Sequence, residues 1–359
     1  MEAVGQVTAD GLDGVVVADT RLSEVDGNAG RLVIAGEDVE RLGGTASYEH
    51  VAAALWGVDV GAAQRALGEG RVMAHACIAG LGDALARDDG MDAIRAAAAH
   101  LDSRVFGSPA VITGAVATLV AAWAARRRGR EPTPPDPALG QAEDYLQMIT
   151  GAQPDARLVA ALDTYLVTVI DHGLNASTFT ARVVASTGSD MVSAVVAAIG
   201  ALKGPLHGGA PGPVLDMLDA IGAPDRATEW IEGELLGRRR IMGMGHRIYR
   251  VRDPRAAVLE KATLRLERAG VSTGRLALAR AVEQAAEGAL RARYPDRPLL
   301  ANVEFYTAVL LDTVGLDRAE LTPTFAVART GGWSAHVEEQ RETGRLIRPA
   351  SRYVGPRPR

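Results

Sequence analysis

Helical periodicity dominates this chain from residue 45 onward and constrains its fold more than any other feature. In segment 155–173, apolar side chains recur every four positions, at Leu158, Leu162, Leu166 and Ile170. This spacing is typical of one face of a helix. Asp155 is placed to cap the start of that helix and Gly173 to end it. Segments 255–270 and 276–295 show the same period, so the body of the chain is predicted to be all-α.

Strand signals are confined to the beginning of the chain. Residues 14–20 ("GVVVADT") and 31–36 ("RLVIAG") flank a turn-rich stretch, 23–30, which predicts a β-hairpin. The Pro-rich residues 130–140 are predicted to form a surface loop between helices. Residues 110–125 are apolar but fall short of the roughly 20 residues that a bilayer requires, so a buried core helix is favoured over a membrane span.

Charge and cysteine content exclude several classes of function. The 359 residues carry a formal net charge of −5, with a pI near 5.9, so no basic footprint for nucleic acid is present. Cys77 is the only cysteine, which excludes an internal disulfide or a cysteine-based zinc site and predicts a reducing, cytoplasmic setting. Residues 1–16 lack the basic start and apolar stretch of a signal peptide.

Three of the seven histidines lie beside glycine at predicted helix breaks: His172 in "DHGLNAS", His207 in "LKGPLHGGAP" and His246 in "GMGHRIYR". Glycine allows the backbone to approach a ligand closely. For any one of them, a histidine that caps a helix or bonds to a carbonyl is the better interpretation, but three together favour a site. A metal site made of the three is disfavoured, because no HxH or HxxxH pair places two ligands on one face.

Two other stretches are candidates for chemistry. Residues 237–255 carry seven arginines against the single acid Asp253: Arg238, Arg239, Arg240, Arg247, Arg250, Arg252 and Arg255. Such a cluster indicates either an anionic partner or a solvated basic face paired with acids elsewhere. Glu304 lies at the start of a predicted helix that is otherwise apolar. It is either a proton-transfer group or an acid that interacts with the free N–H groups of the helix terminus, and the residues alone favour the second.

Long motifs in collinear order resemble the citrate synthase family. The segments that carry the resemblance are 11–42, 171–182, 202–211 ("LKGPLHGGAP"), 241–256 ("IMGMGHRIYRVRDPRA"), 302–315 ("NVEFYTAVLLDTVG") and 348–356. The resemblance implies the citrate synthase fold, a homodimer of all-α protomers with a short N-terminal hairpin. It also implies a large domain, 1–207 and 315–359, and a smaller inserted helical domain, 208–314.

The resemblance further implies a reaction, in which acetyl-CoA condenses with oxaloacetate to give citrate and CoA. His207 would donate a hydrogen bond to the thioester carbonyl, and His246 would donate to the oxaloacetate ketone and protonate it. Glu304 would be the base, where most members of the family have aspartate. Oxaloacetate is implied to be held by His172, His246, Arg255, Arg329 and, from the partner subunit, Arg348. Arg250 and Gly245 are implied to contact coenzyme A.

The resemblance implies no metal and no cofactor, because the CoA thioester is a substrate. No membrane or nucleic-acid partner is expected. Two alternatives stay open: a 2-methylcitrate synthase that uses propionyl-CoA, and a family member that binds these ligands with weak catalysis. A pocket that differs by one methylene discriminates by only about 1–3 kcal/mol, so the sequence does not separate the acyl donors.

Overall fold

The computed structural model describes residues 10–12, 14–209, 211–271 and 273–356 of the chain. Fifteen α-helices and three short strands lie within these residues. The prediction that the chain lacks a signal peptide concerns residues 1–16, and the first nine of these lie outside the described residues. Ala210, in the glycine-rich segment after His207, also lies outside them.

The strands β1 (Ser23–Asp26), β2 (Arg31–Ile34) and β3 (Glu37–Asp38) form one antiparallel sheet in that order. The helices are α1 (Val39–Leu42), α2 (Tyr48–Trp56), α3 (Val60–Cys77), α4 (Gly90–Ala98), α5 (Pro109–Arg127), α6 (Gln141–Thr150), α7 (Ala156–Val169), α8 (Ala176–Ala185), α9 (Met191–Leu202), α10 (Pro211–Ile221), α11 (Ala227–Leu236), α12 (Pro254–Arg268), α13 (Arg275–Arg293), α14 (Val303–Val314) and α15 (Arg318–Thr343). The prediction of an all-α fold with a small N-terminal sheet is confirmed.

The hairpin prediction was right for its second strand and wrong for its first. Residues 15–20 form no strand in the described structure, and Val16 is 85% exposed. Instead, β1 pairs with β2, with Val25 opposite Leu32. The turn is shorter than predicted because the carboxylate of Asp26 accepts hydrogen bonds from two backbone N–H groups of the turn, which closes it within four residues.

Helix α7 shows how sequence and structure agree, and where they differ. The side chain of Asp155 accepts a hydrogen bond from the backbone N–H of Arg157, 2.8 Å away, so the predicted cap is confirmed. The helix ends at Val169, before the predicted stop at Gly173. Gly173, at φ +57°, turns the chain within the loop that follows.

The long apolar helix α5 lies inside the protein. All of residues 110–125 are buried, although the helix is long and apolar enough by itself to cross a membrane. The interpretation as a core helix is confirmed. Gly114 allows close packing there, because a Cβ at this position would lie 2.1 Å from the carbonyl oxygen of Leu67 on α3. Residues 130–140 connect α5 to α6 as the predicted loop.

Helix ends bring the candidate residues towards one another. His172 and His207 follow the C-terminal ends of α7 and α9, while Arg255 and Glu304 lie in the first turns of α12 and α14. The middle of α15 carries Arg329 and is buried. The division into a large and a small domain stays a prediction.

Candidate active site

His172 occupies a buried position in the loop between α7 and α8. Its Nε2 lies 3.1 Å from the hydroxyl of Tyr249, and its ring lies edge-on to His246 with 5.7 Å between centroids. Burial, followed by the positive charges of Arg255 and Arg329, holds the pKa of His172 well below its ordinary value. His172 is therefore neutral at pH 7, and it lies beside two cations.

The hydrogen bonds of His207 fix its tautomer. The backbone N–H of Ser177 points at Nε2 of His207, 3.3 Å away, and the Ser177 hydroxyl lies 2.7 Å from the same atom. Trp333 donates from Nε1 to that hydroxyl over 3.0 Å. Nε2 therefore accepts, and the proton of the neutral ring is on Nδ1. Burial lowers the pKa of His207 to about 4, so Nδ1–H is a neutral donor.

His246 has the opposite tautomer. Its Nδ1 accepts from the backbone N–H groups of Ile248 and Tyr249, at 3.0 and 3.1 Å, which places the proton on Nε2. Nη2 of Arg255 lies 3.4 Å from this Nε2. Two donors cannot bond to each other, so both N–H groups are available to one acceptor between them. Burial lowers the pKa of His246 to about 4.

Arg255 is buried and held by a carboxylate. Asp253 accepts from Nε and Nη2 of Arg255 at 3.0 and 2.8 Å, a bidentate arrangement, and also from the backbone N–H of Val303 at 3.1 Å. Val303 is the first residue of α14 and precedes Glu304. One carboxylate thus fixes a cation and the start of the helix that carries the candidate base.

Arg329 is a buried cation without an ion pair among the described residues. Its Nε donates to the carbonyl oxygen of Val169 at 2.6 Å, its guanidinium lies over Phe325 at 4.7 Å, and its Nη2 has no hydrogen-bond partner in the described structure. Burial lowers its pKa to about 10 despite the nearby Asp171. A buried and unpaired guanidinium is costly unless an anion completes the site.

Glu304 lies in the first turn of α14, next to the cap residue Asn302. The Asn302 side chain accepts from the backbone N–H of Glu304 at 3.0 Å and donates to the carbonyl oxygen of Gly245 at 2.8 Å. Burial raises the pKa of Glu304 to about 7, although Arg255 and Arg329 oppose the shift. A carboxyl group with this pKa is suited to accept a proton near neutral pH.

Six sequence-predicted residues therefore converge, linked by ring contacts, hydrogen bonds and electrostatic interactions. They are His172, His207, His246, Arg255, Glu304 and Arg329. Gly245, at φ +86°, shapes the edge of the site, since a Cβ there would lie 2.8 Å from Leu299. Arg250 and Arg348 are exposed, and neither side chain bonds to another described residue. A single chain does not bring Arg348 into contact with the other six.

The arginine cluster is partly a paired surface and partly unpaired. Arg239 pairs with Glu234 at 2.7 Å, and Arg252 with Glu260 and Glu283 at 2.9 and 2.7 Å. The interpretation as a basic face paired with acids holds for these two. No ion pair within the described residues engages the exposed side chains of Arg238, Arg240, Arg247 and Arg250.

Sequence reasoning missed several residues of the site. Tyr249 contacts His172, stacks near His246 at 4.7 Å between centroids and lies under Arg255. Its position three residues after His246 was an available signal. Ser177 and Trp333 gave no local signal, because they are 156 positions apart in the chain. Among the described residues, no group of three or more potential metal ligands is placed to hold an ion.

Fold and site together define a class: an all-α enzyme with one site that combines a half-buried carboxyl group near two buried cations with three neutral imidazoles. A sequence model described as "Citrate synthase, C-terminal domain" matches residues 11–350. The chain belongs to the citrate synthase family.

Relatives and solved structures are similar along nearly the whole chain. The citrate synthase of Haloferax volcanii is 38% identical, over 96% of this chain and 95% of its own. The 2-methylcitrate synthase of Mycobacterium tuberculosis is also 38% identical, over 96% of this chain and 90% of its own. A Thermoplasma acidophilum citrate synthase, solved as a ternary complex with carboxymethyl coenzyme A and oxaloacetate, is 27% identical. The structural match covers 98% of this chain and 97% of the Thermoplasma acidophilum chain, with a TM-score of 0.86.

Proposed function

We propose that this protein condenses acetyl-CoA with oxaloacetate to give citrate and CoA. The observation that carries the proposal is Arg329, a buried cation with an unpartnered Nη2, beside Arg255 and His172. Oxaloacetate is a small dianion, and its two carboxylates would supply the acceptors that this site lacks. Membership of the family, whose Thermoplasma acidophilum representative was solved with oxaloacetate, supports this ligand.

In the first step Glu304 removes a proton from the methyl group of acetyl-CoA, and His207 donates from Nδ1 to the thioester carbonyl. The electron pair of the broken C–H bond forms the carbon–carbon double bond of the enolate. The π pair of the carbonyl group moves to the oxygen, whose negative charge is stabilised by the hydrogen bond from His207. The lowered pKa of His207 supports a neutral donor, and the raised pKa of Glu304 supports a base that works near pH 7.

In the second step the enolate carbon attacks the ketone of oxaloacetate, and the thioester carbonyl re-forms. His246 donates from Nε2 to the ketone oxygen and supplies the proton that makes it an alcohol, while Arg255 contributes a second donor 3.4 Å away. Water then hydrolyses the citryl-CoA thioester to citrate and CoA. Arg250 and Gly245 are proposed to contact coenzyme A.

The proposal includes the arrangement of the protein. Domain 208–314 would close over the substrates on domain 1–207 and 315–359, which would exclude water until the carbon–carbon bond forms. The active protein would be a cytoplasmic homodimer, in which each site receives Arg348 of the partner subunit. Two observations support the last point: Arg348 is exposed, and its side chain bonds to no other residue in the part of the chain that the structure describes.

A second candidate is 2-methylcitrate synthase activity, favoured by the 38% identical 2-methylcitrate synthase. Release of free CoA, measured with oxaloacetate and either acetyl-CoA or propionyl-CoA, separates the two. A higher kcat/KM for acetyl-CoA supports the proposal, and a higher value for propionyl-CoA supports the second candidate. Oxaloacetate binding without CoA release from either thioester would instead identify a weakly catalytic member of the family.

We expect Glu304 to set the acidic limb of the pH–rate profile. Its pKa is raised to about 7, and the base works deprotonated, so kcat/KM should rise as the pH increases through about 7 and level off above. His207 and His246, with pKa values lowered to about 4, stay neutral over the same range. Initial rates in overlapping buffers test this, with a stability control at each pH. A flat profile through pH 7 would contradict it.

Arg348 is expected to act across the subunit interface. A mixture of Arg348→Ala and His246→Ala chains, each inactive alone, should recover roughly one quarter of wild-type activity, because half of the dimers are hybrids and each hybrid has one intact site. A mixture of His207→Ala and His246→Ala chains is the matched control, since both residues come from one chain and no intact site can form. Hybrids that assemble but stay inactive would refute the assignment.

A further inference from the structure

The N-terminal hairpin touches the two chain segments that carry His172 and His246. From these contacts we propose that Ser23 and Gly27 are positioning residues, and that the hairpin holds both histidines at the spacing that oxaloacetate requires. This inference rests on the proposed function for the identity of the substrate.

The first contact joins the hairpin to the residues on either side of His172. The hydroxyl of Ser23, on β1, donates to the carboxylate of Asp171 and accepts from the backbone N–H of Gly173 at 2.9 Å. Asp171 precedes His172 and Gly173 follows it, so one side chain of the hairpin fixes the backbone on both sides of the histidine. Ser23 is itself half-buried.

Asp171 is also held by a buried network. The Arg182 side chain can only donate, and its Nη1 lies 3.0 Å from Nδ1 of His336. His336 therefore carries its proton on Nε2 and donates it to Oδ2 of Asp171 over 3.3 Å, the same oxygen that accepts from Ser23. Burial would raise the pKa of Asp171, but the nearby His336 and Arg329 hold it below its ordinary value. The carboxylate therefore stays charged and available to Ser23.

The second contact lies on the segment that follows His246. The carbonyl oxygen of Gly27 accepts from the backbone N–H of Arg250 at 2.8 Å. A Cβ on Gly27 would lie 2.3 Å from the carbonyl oxygen of Ile248, so only glycine permits this approach. The backbone N–H of Ile248 in turn donates to Nδ1 of His246 and helps to fix its tautomer.

The two contacts are four residues apart on one hairpin, while the segments they hold are separated by the whole of α8 to α11. A misplacement of about 1 Å at a substrate-binding group can cost about 10²-fold in rate. Loosening the Ser23 contact should therefore weaken the use of oxaloacetate more than the use of acetyl-CoA, since this contact involves neither His207 nor Arg250.

The test measures Ser23→Ala and Gly27→Ala against the wild type and a control, Gly233→Ala. A Cβ at Gly233, on α11, meets no atom within 4 Å. We expect the KM for oxaloacetate to rise about 10-fold or more in Ser23→Ala, and further in Gly27→Ala. The KM for acetyl-CoA and the melting temperature of Ser23→Ala should change little, and the control should match the wild type.

Hydrogen exchange gives a readout that does not depend on activity. Ser23→Ala should speed exchange at the amide of Gly173, which loses its 2.9 Å acceptor and keeps only Asp171 at 3.3 Å. Gly27→Ala should speed exchange at the amide of Arg250, whose acceptor is strained. Unchanged exchange in both variants, or equal rises in the two KM values of Ser23→Ala, would overturn the inference. A wild-type protein that releases no CoA with oxaloacetate would instead contradict the proposed function, and the exchange result would still decide whether the hairpin holds the two segments.

Discussion

Replacing Glu304 with glutamine is expected to lower kcat by about 10²–10⁴-fold, the usual contribution of a positioned base. Glutamine keeps the length and shape of the side chain but cannot accept the methyl proton. The helix start should be intact, because the cap at Asn302 bonds to the backbone of residue 304. Arg255 and Arg329 remain, so the variant should still bind oxaloacetate. Steady-state rates and calorimetric titration with oxaloacetate test both expectations.

A matched control comes from a second carboxyl group. Burial also raises the pKa of Asp163 to about 7, but its carboxylate accepts from the backbone N–H of Tyr48 and takes no part in the site. Asp163→Asn should keep near wild-type turnover. If Glu304→Gln were equally active, Glu304 would not be the base.

The variant Glu304→Asp distinguishes two interpretations of why this protein has glutamate where most of the family has aspartate. If the site is built around glutamate, removal of one methylene withdraws the carboxylate by more than about 1 Å and should lower kcat by about 10²-fold. If glutamate instead weakens the enzyme, aspartate should restore activity. A variant faster than the natural protein would therefore show a site that glutamate had impaired.

His207→Ala carries the second largest expected effect, a fall in kcat of about 10²–10⁴-fold at saturating substrates. The variant loses the Nδ1–H donor at the thioester oxygen, where negative charge develops as the enolate forms. It also leaves Ser177 without its ring partner, so circular dichroism and thermal melting must accompany the rates. His246→Ala should show a loss in the same range, because the ketone oxygen loses its proton donor.

The exposed His100 provides the control for both histidine variants. It lies outside the site and contacts the carbonyl oxygen of Ala96 at 2.8 Å. His100→Ala should keep wild-type rates. A His207→Ala protein that folds normally and keeps near wild-type turnover would remove His207 from the mechanism.

Much of the fold could be predicted because local signals sufficed. The four-residue period and the Asp155 cap determine α7 within the chain itself, and α12 and α13 follow from the same pattern. The first hairpin strand could not be predicted in the same way. The valine run in residues 14–20 is typical of a strand, but β1 consists of Ser23–Asp26. Pairing with Leu32 and closure of the turn by Asp26 decide which residues join the sheet.

The candidate site divides similarly. Motifs in collinear order identified His172, His207, His246, Arg255 and Glu304. Ser177 and Trp333 were missed because their roles depend on partners far along the chain, and Tyr249 was missed although it follows His246 by three residues. On residues alone, the helix-terminal interpretation of Glu304 was favoured. The structure shows that Glu304 does lie in a first turn, and that it is also near two buried cations.

The sequence by itself determined which helices form, which residue types stand at their ends and which family the motifs resemble, because these depend on order and spacing along the chain. Only the tertiary structure decided the chemical state of those residues. The tautomers of His207 and His246 depend on which N–H groups face each ring, and the raised pKa of Glu304 depends on burial among helices distant in sequence. Dielectric environment and hydrogen-bond direction are properties of the assembled interior, and no local stretch of chain contains them.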